Sequence, residues 1–122
     1  MSKSKIVNIQ KIKDESQNHI NGTIQSITIG NTANELSFKI KYKNREELED
    51  DLLLIFDIRE RYLVSFIEDN IVYKEEDDDN DDDTIVIDIS DNAALYFIEQ
   101  YFNVQTSYYF KLDNSKENII FQ

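Results

Sequence analysis

The sequence predicts an α+β fold: a mostly antiparallel, meander-like β-sheet with one helix, at about 91–103, packed on a face. Three observations lead there. The apolar residues are bulky, with abundant Ile, seven Phe and seven Tyr, and such side chains pack well on a pleated surface. Two stretches, LSFKIKYKN and TIVIDIS, alternate with period two. One stretch, DNAALYFIEQYFN, carries the wider spacing of an amphipathic helix. With 122 residues the chain is read as a single domain, 1–122, long enough to bury about two-thirds of its unfolded surface without staples.

Near the start, KIVNIQKIK has apolar residues at spacings of three and is read as an irregular strand. HINGTIQSITIGN is a strand between Gly22 and Gly30. In LSFKIKYKN, Leu36, Phe38, Ile40 and Tyr42 share one face, and Lys39, Lys41 and Lys43 stripe the other. NREELEDDLLLIFDI supports two readings. Asn44 with Glu47 can open a helix through a capping box, with Leu48, Leu52 and Ile55 at helical spacing. Leu52, Leu54, Phe56 and Ile58 equally support a strand. A charged turn followed by a strand over 52–58 is preferred, because a helix would crowd its first two turns with charge.

RYLVSFIEDNIVYKEE reads as a hairpin, Arg61 to Ile67 and Ile71 to Lys74, turning at Asp69-Asn70. TIVIDIS points Ile85, Ile87 and Ile89 one way. The helix is capped by Ser90 or Asp91, presents Leu95, Ile98 and Phe102 flanked by Ala94, Phe97 and Tyr101, and stops at Asn103. TSYYFKL, a turn at Asp113-Asn114, and NIIF complete the sheet.

Charge is unevenly distributed. Residues 1–45 hold eight Lys/Arg against three Asp/Glu, whereas residues 46–122 hold five against 22. The extreme is EEDDDNDDD at 75–83, read as a flexible acidic loop joining two strands. Its carboxylates lie well within the ~8 Å screening length of physiological salt and repel one another. Such a field stays on a compact domain only when solvent screens it or a basic partner neutralises it.

The chain has no Cys, which fits a cytoplasmic protein. It opens without a continuous apolar stretch, so no secretory signal is read, and its longest apolar run, Ala93 to Ile98, falls short of the ~20 residues of a membrane span. Two glycines far from any G-x-G pattern build no phosphate loop. The single histidine, His19, is a poor basis for a hydrolytic triad, and zinc lacks ligands. Among 25 acids some pair always stands near glycosidase spacing, so that signal is empty. No enzyme activity and no cofactor are expected. Asp77, Asp79, Asp81 and Asp83 alternate as in an EF-hand loop, with Asp88 at the twelfth position. The sixth position is Asp82 rather than Gly, and the twelfth is not Glu. Weak cation binding at Asp77, Asp79 and Asp81 is expected, but not a designed metal site. Direct nucleic-acid binding is disfavoured, since phosphate contacts need a basic face.

What remains is a small acidic protein suited to occluding a basic one. Carboxylates on a rigid scaffold can fill a cationic cleft as phosphates would, with complementary charge speeding encounter. In type, though in no motif, this resembles the immunity proteins of bacterial toxin systems and phage proteins that block host nucleases. The partner-binding residues expected are Glu46, Glu47, Glu49, Asp50 and Asp51, then Asp57, Glu60, Glu68 and Asp69. Glu75, Glu76, Asp77, Asp78, Asp79, Asp81, Asp82 and Asp83 form a fringe, and Tyr62 and Tyr73 are candidate anchors. The alternative is a structural or assembly module that pairs sheet edges, as in a homodimer, with the acidic loop serving solubility.

Overall fold

A computed structural model describes residues 5–30, 35–75, 84–105 and 110–121. The α+β class with antiparallel sheets holds. The chain runs β1 (Lys5–Asn8), α1 (Ile9–Ser16), β2 (Thr23–Ile29), β3 (Leu36–Tyr42), α2 (Arg45–Leu54), a 3-10 turn (Glu60–Tyr62) and α3 (Leu63–Asn70). It continues as β4 (Ile71–Glu75), β5 (Thr84–Ser90), α4 (Asp91–Phe102), β6 (Phe110–Leu112) and β7 (Asn118–Phe121).

The expected meander divides into two sheets. One has the order β2-β3-β5-β4, the other β1-β7-β6. β5 therefore pairs with β3 as well as with β4, placing its Ile85, Ile87 and Ile89 beside Tyr42, Ile40 and Phe38. Strands with strict alternation form where the sequence places them, because period two gives each a dry face. Leu36, Phe38, Ile40 and Tyr42 are all buried.

α4 crosses that face as expected. Ala94, Phe97, Ile98 and Phe102 point inward, and Phe97 stands edge-on to Phe38 with ring centroids 5.9 Å apart. Ser90 occupies the N-cap position without a side-chain cap bond. Asn103 adopts the left-handed conformation at φ 52° that ends a helix. Lys5 Nζ then donates to the Phe102 and Asn103 carbonyls, at 2.9 and 3.1 Å, tying β1 to the negative end of α4.

Three expectations fail, each toward helix. Residues 9–16 form α1 rather than extending a strand. Asn8 Oδ1 accepts from Lys11 N at 3.0 Å, and Ile12 and Ser16 turn inward. The preferred strand over 52–58 does not form: its first three residues end α2, and 55–58 turn away from the helix. Asn44 Oδ1 accepts from Glu47 N at 2.9 Å, so the cap outweighs the alternation. The crowded charges cost little because Glu46 and Glu47 sit at the positive end of the helix dipole. The strand expected at Arg61–Ile67 is the 3-10 turn and α3, which bury Leu63 and Ile67 at i, i+4 spacing. Local β-propensity yields there to packing on β5.

The hairpin between β6 and β7 turns at Asp113, whose carboxylate accepts from Ser115 Oγ, Asn118 N and Asn118 Nδ2. Those donors hold its pKa down to about 2.

Candidate interaction surface

α2 carries two unlike faces. Leu48, Asp51 and Leu52 are buried against the sheet. Glu46, Asp50 and Leu54, spaced four apart, form the outward row, and Leu54 is 78% exposed. Glu49 lies between the faces and receives Arg45 Nε at 2.9 Å.

The inward Asp51 fixes the helix in place. Its carboxylate accepts from Asn21 N at 2.9 Å, Gly22 N at 3.2 Å and Tyr42 Oη at 2.7 Å. One side chain thus joins α2 to the entry of β2 and the end of β3. The approach is close: a Cβ on Gly22 would stand 2.6 Å from Ile40 Cγ2 and from the Tyr42 ring. Burial raises the Asp51 pKa, and nearby Glu47 adds to the rise, while the amide and hydroxyl donors hold it back. Burial, with the facing Asp51 charge, also drives the Tyr42 phenol upward. Glu47 itself keeps one carboxylate oxygen, Oε2, buried without a hydrogen-bond partner.

Asp51, expected on the binding surface, therefore lies in the interior with 3% exposure. Glu47 and Glu49 are half-buried, whereas Glu46, Asp50, Asp57, Glu60, Glu68 and Asp69 lie on the outside of the α2–α3 unit. Asp57, at φ 60°, turns the chain after α2. Glu60 opens the 3-10 turn, and Glu68 and Asp69 occupy the exposed side of α3. Among the described residues, the side chains of Glu46, Asp50, Asp57, Glu60, Glu68 and Asp69 make no hydrogen bond or ion pair. Glu75 closes β4 and is exposed. Glu76, Asp77, Asp78, Asp79, Asp81, Asp82 and Asp83 lie outside the described residues, as does the suggested cation site.

Apolar side chains stand among these acids. Tyr62 is about half exposed, with the Arg61 guanidinium 4.8 Å over its ring, and Val64 and Tyr73 are similarly open. The sequence places Leu54 on a strand face and marks neither it nor Val64 as part of the binding surface. The signal for Leu54 was its place four residues after Asp50, which only a helical reading makes outward.

His19 stacks on Tyr101 with ring centroids 4.5 Å apart, a packing role. Among the described residues no group of three His, Asp or Glu side chains is placed to hold a metal ion, and no helix is long and apolar enough to cross a membrane. No family model, curated protein or solved structure matches this chain.

Proposed function

We propose that this chain is a small acidic binding protein that neutralises a basic partner by occupying its cationic cleft. A nuclease toxin or a nucleic-acid-binding enzyme presents such a cleft. The observation that carries the reading is the set of unpartnered carboxylates on the outward faces of α2, the 3-10 turn and α3. Two helices hold these charges at set spacings, so little order is lost on binding. The exposed Leu54, Tyr62 and Val64 supply apolar contact among them, and buried aromatic or aliphatic anchors set the lifetime of a complex that charge assembles quickly. Protein immunity and defence evasion demand the same surface, and both belong to this class.

The test is affinity capture from lysate, washed at rising salt, followed by binding assays with the captured basic protein. Recovery of one basic nuclease or nucleic-acid-binding protein supports the proposal. The variant E46Q/D50N/E60Q is then expected to weaken binding about tenfold or more, largely through the dissociation rate if these charges are desolvated in the complex. Replacing Asp77 to Asp83 by Ser and Asn is expected to slow association modestly, by removing long-range attraction for a basic partner. Loss of binding on the second change alone would overturn the placement of the site on α2 and α3.

A further inference from the structure

We propose that the outer edge of β4 is a strand-addition site for an extended segment with an apolar centre and Lys or Arg toward its ends. The segment is carried by the basic partner proposed above, and the inference rests on that reading for the partner's charge.

β4 is the terminal strand of the four-stranded sheet, and no described strand pairs with its outer side. Such an edge presents unpaired backbone donors and acceptors. The opposite edge is treated differently. α1 packs against β2, and Lys13 Nζ donates to the Gln25 carbonyl at 3.4 Å. At β4 a register shift between Ile71 and Tyr73 lets two consecutive side chains, Val72 and Tyr73, line one groove with Val86. Val72 and Tyr73 are 48% and 53% exposed. Main-chain pairing at the edge would give affinity, and the exposed Val72 and Tyr73, where the groove meets that edge, would select apolar residues of the added strand.

Charge selects the occupant. Glu68 and Asp69 stand just before β4, and Glu75 ends it, all exposed. Lys74, the strand's only cation, is already engaged within the chain. A second copy is the wrong partner in either direction. Antiparallel pairing of two β4 edges would bring each Glu75 to the end where the other copy's Glu68 and Asp69 precede the strand, and parallel pairing would set Glu75 against itself. Like charges directly opposite are destabilising. A strand with basic ends meets carboxylates at both. The cations of the groove, Lys39 and Lys41, do not reverse this. They lie on β3, two strands in, so an added strand runs three spacings away, about 14 Å. That exceeds the ~8 Å screening length.

The probe is a labelled, acetylated peptide with Val-Thr-Val-Thr-Val between paired lysines. It is titrated into the full chain by fluorescence anisotropy and by amide-resolved NMR. Binding is expected, with shift changes and slowed amide exchange centred on β4. Backbone N-methylation of alternate residues is expected to weaken it at least about tenfold, because strand addition needs the peptide N–H groups. Replacing its lysines by glutamates is expected to abolish it. Equal binding of the N-methylated peptide, or perturbation confined to α2, would overturn the proposal, as would self-pairing of β4. The variant E46Q/D50N separates the two readings. Peptide seated on β4 with no basic protein captured would sink the proposed function alone. A basic protein bound through α2, with β4 amides unprotected in the complex, would sink strand addition alone.

Discussion

Asp51 ties three parts of the fold together, because two amides at the entry of β2 and the Tyr42 hydroxyl at the end of β3 converge on this one α2 carboxylate. Asp51→Ala leaves the Gly22 amide and the Tyr42 phenol without an acceptor in the interior, and the Asn21 amide without one in a part-buried place. The expected cost is about 3 kcal/mol in urea unfolding, given roughly 1–3 kcal/mol for each buried group left unpaired. Asp51→Asn retains one acceptor oxygen and should cost less. The pH dependence has a definite sign. The folded carboxyl pKa is raised above its ordinary 3.8, so the folded state holds the proton more tightly than the unfolded one. Its contribution to stability is greatest below that ordinary value and falls as pH rises through the elevated one. Wild type should therefore gain on Asp51→Asn as pH is lowered through this window, and a constant difference would refute the assignment. The inward turn of Asp51 was hidden in the sequence by its neighbours. Within LEDDLLL it reads as one more surface charge, until a helix places it three residues after the buried Leu48.

At the scale of elements, legibility followed the strength of the local signal. β3 and β5 were readable from unbroken alternation, and α4 from a stripe bounded by Asn103. α2 carried both periods at once, and the decision lay with one side chain, Asn44. Asn44→Ala is expected to cost about 1 kcal/mol, read as a lower urea midpoint with faster exchange of the first α2 amides. An unchanged midpoint would mean that packing of Leu48 and Leu52 alone selects the helix. α3 was misread because Val64, Phe66 and Ile67 look like strand formers, whereas burial of Leu63 and Ile67 on β5 depends on contacts remote in sequence. The same misreading concealed the candidate surface. The acids were legible as a charge run, but their division between the outward row of Glu46 and Asp50 and the interior Asp51 exists only once α2 is a helix.

For the whole molecule, a net charge of −12 on 122 residues makes self-repulsion a standing cost. Raising salt from about 0.01 M to about 0.15 M shortens the screening length from roughly 30 to 8 Å, so the thermal midpoint should rise over that range. A falling midpoint would show that attractive pairs outweigh repulsion. The pairing of Lys5 with Phe121 has a separate consequence, for the order in which the chain assembles. β2 pairs with β3 close along the chain and β3 reaches β5 across an intermediate span, whereas β1 and β7 must close nearly all of the chain into a loop before they touch. That entropy delays distant pairings. The small sheet should form late and open first, with amides of β1 and β7 exchanging at a lower opening free energy than those of β3 and β5. The acidic helical face lies in the early-forming part, so a chain with its ends frayed would still present it intact.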